Sequence, residues 1–275
     1  MVAGFRLLGL DLKATADEIS EFIRTNISEA NAKGVVIGLS GGVDSSLVAA
    51  LCVQALGKVR VFGVLMPTNF TPKDDIEDAE KLAKQLDIKT AHINIQEIGD
   101  TFTRILNIEN TSQSRLFLGN IWARIRMVIL YHYANINNYL VVGTGCRSEA
   151  LIGFFTKYGD GGIDLSPIGD LYKTQVRALA EYLGVPKKVA YKPSSPQLYP
   201  GHKATDEIPL PYEALDPVLV ELFENALTLK QVNEFTGIPM NKLQEITSRH
   251  EKTEHKRSLP PILKLKRNTK RGISE

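Results

Sequence analysis

The chain has 275 residues, 43% of them hydrophobic and 23% charged, with only two Cys and a formal net charge of +2. A disordered chain needs fewer apolar residues and a larger charge imbalance, and a disulfide framework needs more Cys, so neither class fits. No run approaches the ~20 apolar residues that span a bilayer, and the N-terminal segment turns acidic before an apolar signal core develops. We therefore expect a cytoplasmic protein with reduced Cys and no membrane partner.

Short β-branched runs alternate with amphipathic segments over the first half of the chain. Four strands are predicted, at 35–39, 59–65, 90–95 and 139–142, and helices at 44–56, 74–86 and 119–135. Apolar strands separated by helices are typical of a parallel sheet covered on both faces. The pattern predicts an α/β fold with a doubly wound, mostly parallel sheet, whose strand carboxyl ends and any ligand lie along one edge.

The alternation of predicted strands and helices ends at about residue 153. Stretches rich in Gly, Pro and Ser at 158–162 and 192–211 predict loops, and a helix is predicted between them at 173–183. Two shorter helices are predicted near 217–227 and 229–235. We expect a single domain over 1–275, with the core sheet at about 30–190, a loop-rich and helical C-terminal part at about 191–260, and a basic tail at 261–275.

The small net charge conceals a basic C-terminal end. From Arg249 onward there are nine Lys or Arg and three acids, a net charge of +6, which leaves the rest of the chain at −4. A basic end of this kind is typical of a nucleic-acid arm, of a solvated tail or of a local anion site. Composition by itself leaves all three open.

The most informative motif is the segment 38–46 (GLSGGVDSS), between the first predicted strand and its helix. Adjacent glycines let the chain turn tightly and present N–H groups to one point, and the helix dipole adds positive potential there. The acidic Asp44 stands where a Walker lysine would be, and a carboxylate beside phosphates implies a cation such as Mg²⁺ between them. Judged on its glycines alone, the segment could equally be a strand-to-helix turn capped by Asp44 and Ser45.

The complete string Ser-Gly-Gly-Val-Asp-Ser resembles the pyrophosphate-binding loop of the N-type ATP pyrophosphatases. The resemblance implies that ATP is cut between its α- and β-phosphates, that a substrate carboxyl or carbonyl is adenylated, and that an amine or sulfur nucleophile displaces AMP. The loop residues that the resemblance assigns to ATP are Gly38, Leu39, Ser40, Gly41, Gly42, Val43, Asp44 and Ser45.

A second block narrows the resemblance to the NAD synthetases. The run 153–176 (GFFTKYGDGGIDLSPIGDLYKTQV) looks like the signature of that family, with GNIWARIR at 119–126 upstream and HKR at 255–257 near the end. The similarity extends from about residue 30 to about 260. It implies an adenine-nucleotide α-hydrolase-like fold, usually in a homodimer. It also implies a ligase that joins ammonia to deamido-NAD with ATP, giving NAD, AMP and pyrophosphate through an adenylated intermediate.

Carried over position by position, the resemblance implies roles outside the loop. Asp44 and Glu149 would bind Mg²⁺, which prefers hard oxygen ligands. Thr144, Lys173 and Ser195 would contact ATP. Asp44, Lys173 and Asp164 would be catalytic, with Lys173 offsetting charge on the phosphates and Asp164 orienting the pyridine end or helping to deprotonate ammonium.

Deamido-NAD is a polyanion, so it needs positive groups. The residues that the resemblance assigns to it are Arg124, Lys157, Asp164, His255 and Lys256. Taken singly, a Lys or Arg of this kind is more often solvated or ion-paired than bound to a ligand, and Glu149 alone could simply support a helix start. Their membership in one pattern is what favours function. With the front of the basic end assigned to a dinucleotide, 264–271 is predicted to be a solvated end, and no nucleic-acid partner is expected.

Two alternatives stay open. One is another N-type ATP pyrophosphatase, either GMP-synthetase-like or tRNA-thiolating, although the run 155–158 (FTKY) argues against both and the lack of paired Cys against thiolation. The other is a non-catalytic nucleotide sensor, which would not need both acids and the lysines. Glutamine-using members of the family carry an upstream amidase domain with a nucleophilic Cys. Because no Cys precedes Cys52, free ammonia is the expected nitrogen donor.

Overall fold

The computed structural model describes residues 9–109, 111 and 114–265. Within that part of the chain, a four-stranded sheet contains β1 (Gly34–Gly38), β2 (Val61–Leu65), β3 (Lys89–His92) and β4 (Tyr139–Val141). The strand order is β3-β2-β1-β4, and every neighbouring pair is parallel. The predicted parallel sheet is thus confirmed. A parallel bridge between Val142 and Leu165 extends the β4 side by one short contact.

Helices follow the strands, as the alternation predicts. The helices of the sheet half are α1 (Leu12–Glu29), α2 (Val43–Leu56), α3 (Lys73–Gln85), α4 (Gln96–Ile105), α5 (Ser114–Asn137), α6 (Arg147–Leu151), α7 (Lys173–Tyr182) and α8 (Lys187–Ala190). The C-terminal helices are α9 (Tyr212–Phe223), α10 (Leu229–Thr236), α11 (Met240–Lys252) and α12 (Glu254–Arg257).

Strand β1 shows why both faces of the sheet are covered. Its side chains alternate: Val35 and Ile37 lie in one buried cluster with residues of α1, α2, α3 and α7, whereas Val36 lies in another with Trp122 and Ile125 of α5. Successive side chains of a strand point to opposite faces, so an uninterrupted apolar strand needs a partner layer on each side. The sheet is therefore doubly wound, as predicted.

The register aligns the carboxyl ends of the central strands. Gly38 of β1 lies opposite Val64 of β2, and the Leu39 amide continues the ladder by donating to the Val64 carbonyl at 2.9 Å. The segment after β1 therefore leaves the sheet beside the segment after β2. This is the edge at which open α/β sheets bind ligands.

The C-terminal helices share a buried cluster of their own. Leu215, Val218 and Leu219 of α9 pack with Val232 of α10 and Leu243 of α11. The predicted helix at 217–227 differs from the structure, because α9 begins at Tyr212 after Pro211 and carries Pro217 inside it. A proline is favoured at the start of a helix, and in α9 it is Pro211, not Pro217, that occupies this position.

Both ends of the chain continue past the described residues. Residues 1–8, which open the N-terminal segment, and 266–275, which form most of the predicted basic tail, lie outside the described residues. Among the described helices, none combines the length and the apolar character that crossing a membrane requires.

Candidate active site

A cavity of about 430 Å³ opens at the carboxyl edge of the sheet. Its walls come from the ends of β1, β2 and β4, from α5, and from the loop that follows α8. The predicted ATP-site residues that line it are Gly38, Leu39, Ser40, Gly42, Val43, Asp44, Ser45, Thr144 and Ser195. The cavity thus brings together segments more than 150 residues apart in the chain.

The loop between β1 and α2 is shaped by Gly41. Its φ is +76°, and a Cβ there would lie 2.0 Å from the Asp75 carbonyl oxygen, so only glycine fits. Gly42 is the N-cap of α2 and makes no side-chain capping hydrogen bond. The alternative of a turn capped by Asp44 and Ser45 is therefore not what the structure contains. The amides at the start of α2 face the cavity without a side-chain cap, which suits an anion.

Two serine hydroxyls organise the same loop. The Oγ atoms of Ser40 and Ser45 lie 3.0 Å apart, and Ser45 Oγ donates to the Gly42 carbonyl at 3.1 Å. Ser40 Oγ in turn accepts from the Gly42 amide at 3.3 Å. These bonds hold both hydroxyls on the cavity wall next to the helix N-terminus.

Lys173 lies between the two predicted magnesium ligands. Its Nζ donates to Asp44 Oδ1 at 2.6 Å and to Glu149 Oε1 at 2.8 Å, and its side chain is fully buried. Burial by itself would lower the pKa of Lys173, but Asp44 and the neighbouring acids raise it well above its usual value. The side chain is therefore a fixed cation behind two carboxylates that face the cavity.

The acids around Lys173 fit a divalent cation. Asp44, Cys146 and Glu149 each offer a ligand atom within 4.8 Å of the others. Burial raises the pKa of the Cys146 thiol well above its usual value, so it stays neutral and leaves the two carboxylates as donors. Two carboxylates share one lysine, and burial raises the pKa of Asp44 despite that pairing. Hard oxygen donors with excess negative charge match the preference of Mg²⁺.

Helix α6 fixes the position of Glu149. Glu149 is the third residue of the helix, and its Oε2 accepts the Cys146 amide at 3.1 Å, which forms a capping box. The carboxylate that faces Lys173 therefore also closes the helix start.

The predicted deamido-NAD residues form a second group, beside the cavity. Arg124 donates to the Lys157 carbonyl at 3.2 Å, and Lys157 Nζ donates to the His255 carbonyl. Lys256 donates to the carbonyls of Gly153 and Phe155 at 2.8 and 2.7 Å. Of these residues, Lys256 lines the cavity, whereas Arg124, Lys157 and His255 are not among its lining residues.

Asp164 lies near the end of β4, outside the cavity lining. Its Oδ1 accepts the Tyr131 hydroxyl at 2.9 Å, and its Oδ2 accepts the Val141 amide at 2.8 Å. Both carboxylate oxygens thus have partners within the fold. Burial, and then the bond to Asp164, raise the pKa of Tyr131 to about 12, so the phenol is a donor at neutral pH.

Several polar residues of the cavity were not singled out from the sequence. Lys192 donates to Asp75 at 2.7 Å and to Asp78 at 2.6 Å, and Gln197 donates to the other Asp75 oxygen at 2.6 Å. These bonds fasten the loop after α8 to the loop between β1 and α2, because Gly41 packs against Asp75. Arg126 also lines the cavity and makes one long bond, 3.4 Å, to the Met66 carbonyl.

The sequence is similar to NAD synthetases over most of its length. The family model for NAD synthase matches residues 15–260. The chain is 52% identical over 250 residues to the NH(3)-dependent NAD(+) synthetase of Staphylothermus marinus, covering 90% of each chain. It is 47% identical over 256 residues to that of Hyperthermus butylicus, covering 93% of this chain and 92% of the relative.

Solved structures of related synthetases are similar to the chain over most of its length as well. An NMN synthetase from Francisella tularensis is 30% identical with a TM-score of 0.81, covering 94% of this chain and 100% of that one. An NH3-dependent NAD synthetase from Campylobacter jejuni in complex with the nitrate ion is 34% identical with a TM-score of 0.77, covering 93% and 100%.

Proposed function

The chain belongs to the NAD synthase family, and from this premise we infer that it is a ligase that amidates deamido-NAD with ammonia, using ATP. The products are NAD, AMP and pyrophosphate, and the intermediate is an acyl adenylate. One observation carries the inference: the buried Lys173 joins Asp44, at the start of the uncapped helix α2, to Glu149, and both carboxylates line a cavity at the carboxyl edge of the sheet. The family assignment also sets aside the GMP-synthetase-like and sensor alternatives.

ATP binds with its phosphates on the loop 38–45. The amides at the start of α2 donate hydrogen bonds to phosphate oxygens, and the helix dipole adds attraction. The hydroxyls of Ser40 and Ser45 donate as well, once their protons turn away from the acceptors that they have within the loop. Thr144 and Ser195 contact the nucleotide from the opposite walls. Their presence on the lining of one cavity supports these roles.

Asp44 and Glu149 would hold Mg²⁺, which their donor atoms fit. When bound, the ion supplies Lewis-acid stabilisation of charge on the phosphate oxygens. Lys173 offsets the charge that develops at the α-phosphate. Because Lys173 is fully buried behind both carboxylates, its approach to ATP requires that Asp44 or Glu149 turn away from it.

Deamido-NAD binds against the group formed by Arg124, Lys157, His255 and Lys256. An oxygen of its nicotinate carboxylate attacks the α-phosphorus, and the bond to pyrophosphate breaks. Ammonia then attacks the activated carbonyl, AMP leaves, and the nitrogen loses a proton. Both oxygens of Asp164 already accept hydrogen bonds, which favours orientation of the pyridine end over proton transfer.

The enzyme acts as a homodimer. Phe117 and Val128 of α5 are each 61% exposed, and Arg124 lies between them on the same helix face, seven and four residues away. Ile105, the last residue of α4, and Leu106 after it are also exposed. A second copy seated on this face would bury apolar surface and bring Arg124 to the interface. Arg124 would then serve a site shaped by both subunits.

The cytoplasm is the compartment that we assign to the enzyme. Cys52 and Cys146 are both buried and free. Burial raises the pKa of each thiol, so neither is reactive. Unpaired thiols are typical of proteins from reducing compartments.

Nicotinate mononucleotide is a second candidate substrate. The similarity to the Francisella tularensis NMN synthetase favours it, since the TM-score is 0.81 over 94% of this chain. Deamido-NAD and nicotinate mononucleotide both present a nicotinate carboxylate to the α-phosphate. They differ in that only deamido-NAD carries an adenylyl half.

The test is a direct assay with both acids. The protein is mixed with ATP, Mg²⁺ and ammonium, and with deamido-NAD or nicotinate mononucleotide, and NAD or NMN, AMP and pyrophosphate are quantified. We expect NAD, AMP and pyrophosphate in equal amounts, and no product with Asp44→Ala. Absence of NAD above background would contradict the proposed function, and NMN without NAD would establish the second candidate.

A further inference from the structure

Asp216 is a fully buried acid in α9, outside the sheet that forms the cavity. A buried carboxylate is costly unless it is hydrogen-bonded, and every such group in a protein calls for partners. Burial raises the pKa of Asp216, while bonds from Ser148 and Thr174 oppose that rise. Its partners therefore indicate what the residue does.

All these partners lie at the start of two helices that carry active-site groups. Asp216 Oδ2 accepts from the amide and the hydroxyl of Thr174 at 2.9 and 2.7 Å. Asp216 Oδ1 accepts from the Ser148 hydroxyl at 2.6 Å. Thr174 is the second residue of α7, and Ser148 is the second residue of α6. A carboxylate at a helix N-terminus interacts favourably with the helix dipole.

Ser148 passes this contact on to Lys173. The Ser148 Oγ that donates to Asp216 also accepts from the Lys173 amide at 2.9 Å. Lys173 is the first residue of α7, and its side chain runs to Asp44 and Glu149. Asp216 therefore holds the main-chain amides on both sides of the Lys173 α-carbon, the Thr174 amide directly and the Lys173 amide through Ser148.

The same face of α9 also touches the far end of Lys173. Tyr212 precedes Asp216 by four residues, which places both on one side of the helix. The Lys173 ammonium lies 5.2 Å from the centre of the Tyr212 ring, a cation–π distance, and the Tyr212 hydroxyl is 3.5 Å from Glu149 Oε1. One turn of α9 thus contacts Lys173 at both ends. Asp216 holds its main chain, and Tyr212 contacts its ammonium group.

We propose that Asp216 is a positioning residue for Lys173, assisted by Ser148 and by Tyr212, so that α9 sets the geometry of the adenylation step. The inference rests on the proposed function, because it takes Lys173 as the cation that meets the phosphates. Asp216 itself touches no substrate. Its contribution lies in holding Lys173 in line with Asp44 and Glu149.

The test compares Asp216→Asn with the wild type in steady-state kinetics. The variant keeps the shape of the side chain but replaces one acceptor oxygen by an amide that donates, so Ser148 loses its acceptor. We expect kcat for NAD formation to fall about 10–100-fold, since displacing a catalytic group by a fraction of an ångström has effects of that size. The KM values for ATP and deamido-NAD should stay within about twofold, because substrate contacts are untouched.

Glu213→Gln is the matched control. Glu213 also lies on α9 and also bridges to α7, through Arg177, whose guanidinium lies over the Tyr212 ring. Glu213 is 66% exposed, however, and lies outside the hydrogen bonds that join Asp216, Ser148 and Lys173. We expect wild-type kcat and KM for this variant. A kcat of Asp216→Asn within twofold of the wild type would overturn the proposal, and so would an equal loss in Glu213→Gln.

Ser148→Ala tests the same positioning role if Asp216→Asn does not fold. It leaves the carboxylate in place and removes the oxygen that receives the Lys173 amide, so the same selective loss of kcat is expected. Normal kcat in a folded Ser148→Ala protein would then overturn the proposal. A wild type that makes no NAD contradicts the proposed function instead, and this result is distinct from a fully active variant.

Discussion

At the scale of single residues, Glu149 uses its two carboxylate oxygens for different partners. Oε2 caps α6 by accepting the Cys146 amide, and Oε1 accepts from Lys173. The sequence offered helix support and magnesium binding as competing interpretations of this residue. The structure contains the helix cap, and the oxygen facing Lys173 stays available to the magnesium role that we propose.

Glu149→Gln separates these two contributions. The amide oxygen of Gln can still cap α6, but its NH₂ group then faces the Lys173 ammonium, where two donors repel and a metal ligand is lost. We expect kcat to fall about 10²-fold and the Mg²⁺ concentration for half-maximal activity to rise, with the melting temperature nearly unchanged. NAD formation measured against Mg²⁺ concentration checks this. An unchanged Mg²⁺ requirement would remove Glu149 from the metal site.

Other residues of the site could not be found by inspection of the sequence. Asp75 and Lys192 are ordinary charged residues in their local context, and their pairing joins positions 117 residues apart. Arg126 belongs to the motif 119–126 (GNIWARIR), but its sequence neighbours do not indicate that it lines a cavity. A motif identifies the residues within its own stretch of sequence. It does not predict which distant residues those side chains contact in the fold.

At the scale of elements, α3 shows how a periodic pattern can conceal polar function. The spacing of Ile76, Ala79, Leu82, Ala83 and Leu86 predicts one apolar stripe on this helix. Ala79, Leu82 and Ala83 of this stripe are buried, and Ile76 and Leu86 pack partly buried against the same core, but Asp75 and Asp78 are buried beside them. No apolar pattern marks these two acids, and their burial is tolerated because Lys192 pairs with both of them.

Lys192→Met should loosen the loop after α8. The change leaves Asp75 and Asp78 with fewer partners in a buried setting, and we expect a loss of about 1.5–3 kcal/mol in the free energy of unfolding. We also expect weaker retention of ATP, because the loop carries Ser195. Lys188→Met is the control, since Lys188 pairs with the same Asp78 but is 63% exposed. Its effect should be at most about 1 kcal/mol. Equal losses in both variants would contradict a special role for Lys192.

The same pairing has a definite pH dependence. Burial by itself would raise the pKa of Asp78, but Lys188 and Lys192 lower it below its ordinary value. A group with a lowered pKa stabilises the fold above about pH 4 and loses that contribution as pH falls through its folded value. The stability difference between Lys192→Met and the wild type should therefore narrow in acid. Denaturant unfolding at pH 7 and pH 3 measures it.

Helices with clear local signals were predicted well, and others were passed over. Helix α7 begins at Lys173, as predicted, because the polar start and the Gly184-Val185-Pro186 stop are both local. Helices α1, α4 and α11 were not assigned, although Ala16, Ile19, Ile23 and Ile27 of α1 follow the spacing of a buried stripe. That signal was present in the sequence and was missed.

At the scale of the whole molecule, the exposed apolar face of α5 predicts the assembly. Val128→Glu puts a charge at the centre of that face, so we expect a monomer of 30.4 kDa in place of a dimer of twice that mass. We also expect a raised KM for deamido-NAD, because Arg124 would lose its interface. Light scattering after gel filtration checks the mass.

Val59→Glu is the matched control for the dimer. Val59 is 75% exposed in the 3-10 turn Lys58–Arg60, which follows α2 and is not part of α4 or α5. We expect this variant to keep the mass and the kinetics of the wild type. A wild type that is monomeric at all concentrations would rule out the homodimer, whatever the variants do.

The sequence by itself determined the sheet and the family, and it predicted that the segment 38–46 binds phosphates. Strand runs, helical stripes and the string at 38–46 are local patterns, so they can be read from neighbouring residues. The tertiary structure decided how the site is assembled. Lys173 meets Asp44 across 129 residues, and Asp216 meets Thr174 across 42. Such contacts arise when buried charges must find partners during packing, and no local pattern encodes which partners those are.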